Sequence, residues 1–112
     1  MSRRLMIALL SLGLAWSFAP RIVLAQESHL AEAIPHTRDA VSAGREGKPS
    51  TLVLHATEAL HHALAAQAER PDPEVKEAIA RLKEAIKFGK KKRRAATTIA
   101  YRALQQLERA PQ

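Results

Sequence analysis

Apolar residues recur at helical spacing in four stretches of this chain, and nowhere do they alternate as a strand requires. Leu30, Ala33, Ile34, Thr37 and Val41 form the first stripe, and Leu52, Ala56, Ala59, Leu60, Ala63 and Leu64 the second. Val75, Ala78, Ile79, Leu82 and Ile86 make the third, and Ile99, Ala103, Leu104 and Leu107 the fourth. Two breaks separate them cleanly. In GREGK, Gly44 and Gly47 bracket a turn, and Ser50 or Thr51 is placed to cap the helix that follows. In RPDPE, Asp72 predicts an N-cap and Pro73 suits the first helical position. Gly89 is placed to end the third helix, and the fourth is expected to begin between Lys90 and Ala95. Pro35 interrupts the first stripe, which predicts a kink or a division there.

The pattern is written twice. Shifted by 45 positions, Glu32-Ala33-Ile34 falls on Glu77-Ala78-Ile79, Ala40 on Ala85, and Gly44 on Gly89. After the first turn a shift of 44 carries Ala56, Ala59 and Leu60 onto Ala100, Ala103 and Leu104. A helical hairpin repeated in this way implies an all-α fold, an antiparallel four-helix bundle with short connections. Repeat one is expected over about residues 28–68 and repeat two over about residues 73–110.

The start of the chain follows another rule. Ser2-Arg3-Arg4 precedes an almost unbroken apolar run from Leu5 to Ala19, and Ile22-Val23-Leu24-Ala25 ends in a small residue. That layout predicts a signal peptide over residues 1–25, cleaved after Ala25. The run is shorter than the roughly 20 apolar residues of a spanning helix, so no stable membrane insertion is expected after removal. Residues 26–112 then form one small domain, the four-helix bundle, read as a monomer.

That domain has no Cys, Met or Trp, and Phe88 and Tyr101 are its only aromatic residues. Disulfides and soft sulfur ligands are excluded, which leaves imidazole and carboxylate as the available metal donors. Such donors permit copper(II), nickel or zinc. Charge divides the repeats: residues 26–73 hold four basic and seven acidic side chains, whereas residues 74–112 hold eleven basic and four acidic ones. All five histidines lie in the first group.

HLAEAIPH and HATEALHH place His29, Glu32 and His36, and then His55, Glu58 and His62, in the same H-x-x-E-x-x-x-H spacing. Seven residues rise about 10.5 Å along a helix, so two histidines of one helix cannot share an ion but do share a face. Folding at GREGK makes the numbers of facing residues sum to about 91, which sets His36 against His55 and His29 against His62. Glu32 and Glu58 fall between these levels, and His61 adds an imidazole beside His62. Each level can offer two imidazoles and a carboxylate. Histidine beside an apolar stripe and glutamate on a helix are also ordinary features of a bundle, so spacing alone leaves both readings open.

SHLAEAIPHTRDAVSAGREGK, LVLHATEALHHALAAQ, EAIARLKEAIKFGK and AYRALQQL together resemble the small metal-binding protein family of bacterial periplasms. The resemblance covers residues 28–109 and implies a His-rich four-helix bundle that holds copper and other divalent ions in the periplasm. It implies His29, His36, His55 and His62 as ligands, helped by Glu32 and Glu58. The second repeat departs from that pattern. Glu74 and Arg81 stand where His29 and His36 would recur, Ile99 and Gln106 where His55 and His62 would, and Ala43 and Phe88 where the family often has His before Gly. Fewer ions than in a typical member are therefore expected, one or two.

GKKKRRAA concentrates Lys90, Lys91, Lys92, Arg93 and Arg94 at the second hairpin turn. A solvated turn accounts for it; a contact with an anionic surface is the functional alternative. No aromatic platform accompanies the run, so nucleic acid is not an expected partner. No nucleophile motif or phosphate loop is present, and no enzyme is expected. The expected function is periplasmic binding or sequestration of divalent metal by the first hairpin. Its rival is an exported helical adaptor that binds a partner protein or anionic surface through the basic second half, with metal binding vestigial.

Overall fold

The computed structural model describes residues 28–112, which form four α-helices, with no strand among the described residues. α1 spans His29–Arg45, α2 Pro49–Glu69, α3 Pro73–Lys90 and α4 Ala95–Arg109. The expected signal segment lies outside the described residues. Among the described residues, no helix is long and apolar enough to cross a membrane.

Two helices start on side-chain caps. Ser28 Oγ accepts from the backbone N–H of Ala31 at 3.1 Å. Asp72 Oδ1 accepts from those of Glu74 at 2.8 Å and Val75 at 3.2 Å, with Pro73 opening α3 as expected. α2 begins differently from the expectation. Pro49 opens it and Lys48 is its N-cap, without a side-chain hydrogen bond, so Ser50 and Thr51 already lie inside the first turn. Proline at that position has its φ preset and lacks an N–H to satisfy, which starts the helix without a capping hydroxyl.

The two hairpin turns are copies of one hydrogen-bonded motif. Gly47 N–H donates to the Gly44 carbonyl at 3.1 Å and Lys48 N–H to the Ala43 carbonyl at 2.9 Å, with Gly47 at φ 73°. In the second hairpin Lys92 N–H donates to Gly89 at 2.9 Å and Arg93 N–H to Phe88 at 3.0 Å, with Lys92 at φ 58°. Both are Schellman endings, in which a left-handed residue lets the chain satisfy the last carbonyls. Gly89 therefore does not end α3, as its position suggested. It is buried inside the helix, and Lys92 takes the left-handed place.

Gly44 and Gly89 serve close approach instead. A Cβ on Gly44 would lie 2.9 Å from Thr97 Cβ and from Leu52 Cδ1, and one on Gly89 would lie 2.7 Å from Val53 Cγ2. Pro35 also acts otherwise than expected: α1 runs through it without division. Pro35 is exposed, so the carbonyl of Ala31, which loses its helical donor, can take water instead.

α1 packs on α2 and α4, and α3 on α2 and α4, while α2 and α4 barely meet. The helices thus form a ring around a core whose buried side chains fall into two clusters, with Ile34 packed against both. Alanine supplies much of that core, including Ala33, Ala40, Ala56, Ala59, Ala63, Ala78, Ala85, Ala100 and Ala103, and Leu52, Leu82 and Leu107 are its largest fully buried apolar side chains. Thr37 is buried too, and its hydroxyl donates to the Ala33 carbonyl at 2.8 Å. Leu64 departs from its stripe: it is 44% exposed, because Leu60 and Ala63 already occupy the inward face of that turn.

Gly44→Val is expected to cost about 2 kcal/mol, because the branched side chain must displace Thr97 and Leu52 in a packed core. A lower urea midpoint with an unchanged m-value would record it.

Candidate metal centre

α1 carries His29, Glu32, His36 and Asp39 at spacings of three, four and three, which align them along one helix face. α2 carries His55, Glu58 and His62 on the face turned toward them. Alanines at Ala33, Ala40, Ala56, Ala59 and Ala63 are buried beneath these residues and let the two backbones approach.

The four imidazoles form a continuous ladder. His29 and His62 have ring centroids 5.6 Å apart, His62 and His36 also 5.6 Å, and His36 and His55 6.2 Å. His36 and His62 are nearly parallel, with 7° between their planes. The facing pairs His29–His62 and His36–His55 stand where the turn register puts them. The diagonal His36–His62 contact is not evident from the sum of residue numbers.

Donor atoms converge in three groups, each lying within 4.8 Å of one another: His29 with Glu32 and His62, His36 with Asp39 and His55, and His36 with Glu58 and His62. In the first group His62 Nδ1 lies 3.2 Å from Glu32 Oε2 and 3.3 Å from His29 Nδ1. His62 Nδ1 is thus in contact with both groups, at a place for which a divalent ion would compete. Glu69 approaches the outer edge of the same group, with Oε2 3.8 Å from His29 Nε2. A cleft of about 220 Å³ lined by His29, Glu69, Arg70 and Asp72 opens this end to solvent.

The second group differs. Nδ1 of His36 and Nδ1 of His55 are both buried without a hydrogen-bond partner. A buried polar nitrogen left unsatisfied costs about 1–3 kcal/mol, and two of them fall in one three-residue group of potential metal ligands. Imidazole and carboxylate suit a borderline divalent ion, so the residues present fit such a metal on their own chemistry.

His29, Glu32, His36, His55, Glu58 and His62 are thus brought together. His61 is not: it is exposed and joins no such group among the described residues. One residue turns a helix by about 100°, which carries His61 off the face that His62 occupies. Asp39 belongs to the site although the H-x-x-E-x-x-x-H pattern passes over it. The signal was present, since His36-x-x-Asp39 repeats the His29-x-x-Glu32 step two turns further along the same face. Lys90 to Arg94 lie apart, exposed at the end of α3 and along the second hairpin turn.

In the second hairpin the matching positions are closed by other chemistry. Gln106 Nε2 donates to Glu77 Oε2 at 2.9 Å, where His62 meets Glu32 in the first, and Arg109 Nε lies 3.6 Å from Glu74 Oε2. No histidine and no metal-competent group stands there among the described residues.

The sequence model of the family described as small metal-binding protein matches residues 3–110, nearly the whole chain. The chain belongs to the small metal-binding protein family. No curated protein matches it. Family membership supports metal ions as its ligands, and the histidine and carboxylate groups of the first hairpin are compatible with that. Among the described residues, the three groups of converging donor atoms all lie on α1 and α2.

His36→Ala is expected to weaken metal affinity more than His55→Ala, and His62→Ala more than His29→Ala, because the first of each pair belongs to two groups and the second to one. His61→Ala should leave it within about twofold of the parent; competition against a metallochromic chelator measures all five.

Proposed function

We propose that this protein binds divalent metal ions reversibly in the periplasm and buffers or sequesters them without catalysis. Copper(II) is the ion the donor set suits best by affinity order, with nickel and zinc as alternatives. The site is the first hairpin, α1 and α2, and the observation that carries the reading is the pair of unpartnered Nδ1 atoms on His36 and His55. Asp39, beside them, supplies the carboxylate.

The same proposal includes the setting. Residues 1–25 act as an export signal cleaved after Ala25, and the four helices close as an antiparallel bundle of two repeated hairpins that works as a monomer. Export agrees with an ion site free of sulfur, since neither thiol nor thioether is left to oxidise. The absence of resident sulfur also favours copper(II) over copper(I).

Each group offers two imidazoles and one carboxylate from two rigid helices. The protein's part is to hold the rings at fixed separation, so that binding does not first have to order them. Half-exposed carboxylates at the rim let an ion enter with part of its water shell and leave again, as reversible storage requires.

Calorimetric titration of the metal-stripped protein with copper(II), nickel and zinc at neutral pH tests the reading. Saturable binding is expected in the parent and none in a variant with all five histidines changed to Ala. Affinity should fall by at least tenfold between about pH 7 and pH 5.5, because a protonated imidazole has no lone pair for a metal. No binding to a folded parent would sink the proposal and turn attention to Lys90, Lys91, Lys92, Arg93 and Arg94 as an anion-binding turn.

A further inference from the structure

The three donor groups are not independent. His36 belongs to two of them, with Asp39 and His55 and again with Glu58 and His62. His62 also belongs to two, with His29 and Glu32 and again with His36 and Glu58. A neutral imidazole has one N–H and one free lone pair, so it can ligate a single ion at a time. An ion held by Glu58 therefore takes one imidazole from each of the other two groups.

We propose that the first hairpin is a two-ion ladder with a shared rung: at saturation one ion sits at His36–Asp39–His55 and one at His29–Glu32–His62, while Glu58 marks a middle place that is filled only when both ends are not. This rests on the metal-binding reading given above and assigns how its ligands are divided.

Two observations favour the ends at saturation. The two end groups together use all four ladder imidazoles, whereas the middle place uses His36 and His62 and leaves His29 and His55 idle. Mass action at high metal thus selects the arrangement that holds two ions. The ends also lie about two helical turns apart, near 10 Å, which keeps the repulsion between two divalent ions modest in a half-exposed site.

The ends differ, and the difference sets an order. At His36–Asp39–His55 an arriving ion meets two unpartnered nitrogens and breaks no hydrogen bond of theirs. At His29–Glu32–His62 it must break the close contacts that His62 Nδ1 makes with Glu32 Oε2 and His29 Nδ1. The first ion accordingly settles at His36–Asp39–His55 and the second at the cleft end. The middle place links them: passage from the cleft end to the middle keeps His62, and passage from the middle to the far end keeps His36. An ion that enters at the cleft can move inward with one imidazole always attached, exchanging the other imidazole and the carboxylate at each step.

Native mass spectrometry of the metal-stripped protein titrated with copper(II), with electron paramagnetic resonance on the same samples, tests the division. The parent should reach a plateau of two ions, with a dipolar coupling that corresponds to about 10 Å between them. Glu58→Gln should still reach two. Asp39→Ala should weaken the first binding step and Glu32→Ala the second, each about tenfold, with helicity by circular dichroism unchanged. A plateau of one or of three ions would overturn the proposal. So would a separation near 5 Å, which places one ion at the middle beside another, or the loss of an ion from Glu58→Gln. Those failures all leave metal bound. A parent that binds no copper(II) at all strikes instead at the functional reading beneath it.

Discussion

The register of α1 against α2 is the constraint on which the rest depends. It is set at the turn, where Gly47 in the left-handed region lets Lys48 and Gly47 close back onto Ala43 and Gly44. It is held along the hairpin by alanines that admit a close backbone approach. A slip of one residue would turn every imidazole about 100° away from its partner. With the register held, His29 meets His62 and His36 meets His55, and carboxylates at Glu32, Asp39 and Glu58 fall between or beside them.

The two hairpins show one scaffold stabilised in two ways. The turn motif recurs, with Lys92 in the place of Gly47 and Gly89 in the place of Gly44. The polar positions do not. Where the first hairpin sets His62 beside Glu32, the second sets Gln106 beside Glu77, and Arg109 reaches Glu74 at the position matching His29. A guanidinium and an amide are held there by the chain itself, so the carboxylates have partners without any ion. Gln106 is 5% exposed, and its Oε1 has no partner, as has Arg81 Nε. Glu74 and Glu77 of the second hairpin thus have partners within the chain, whereas the first hairpin gathers imidazole and carboxylate donors in three groups.

Much of this was legible from residue order. Four stripes at helical spacing located four helices, Asp72-Pro73 marked the start of α3, and the turn at GREGK implied which histidines face one another. Other features were hidden because they depend on neighbours distant in sequence. Gly89 reads as a helix end until Leu52 and Val53 are seen against it, and Leu64 reads as core until Leu60 and Ala63 are found to fill that level. Asp39 stands outside the repeated H-x-x-E-x-x-x-H spacing, although its step from His36 is the same as that of Glu32 from His29.

The sequence by itself determined the helices, their turns, the family and the type of donor, because periodicity, capping and side-chain chemistry are local properties. Tertiary structure alone decided that His36 and His62 are each shared between two groups, that Asp39 joins them and that His61 does not. Those are matters of a few ångströms between two helices. Spacing along one helix sets which face a side chain is on, but ring tilt and helix separation set which atoms converge, and only packing supplies those.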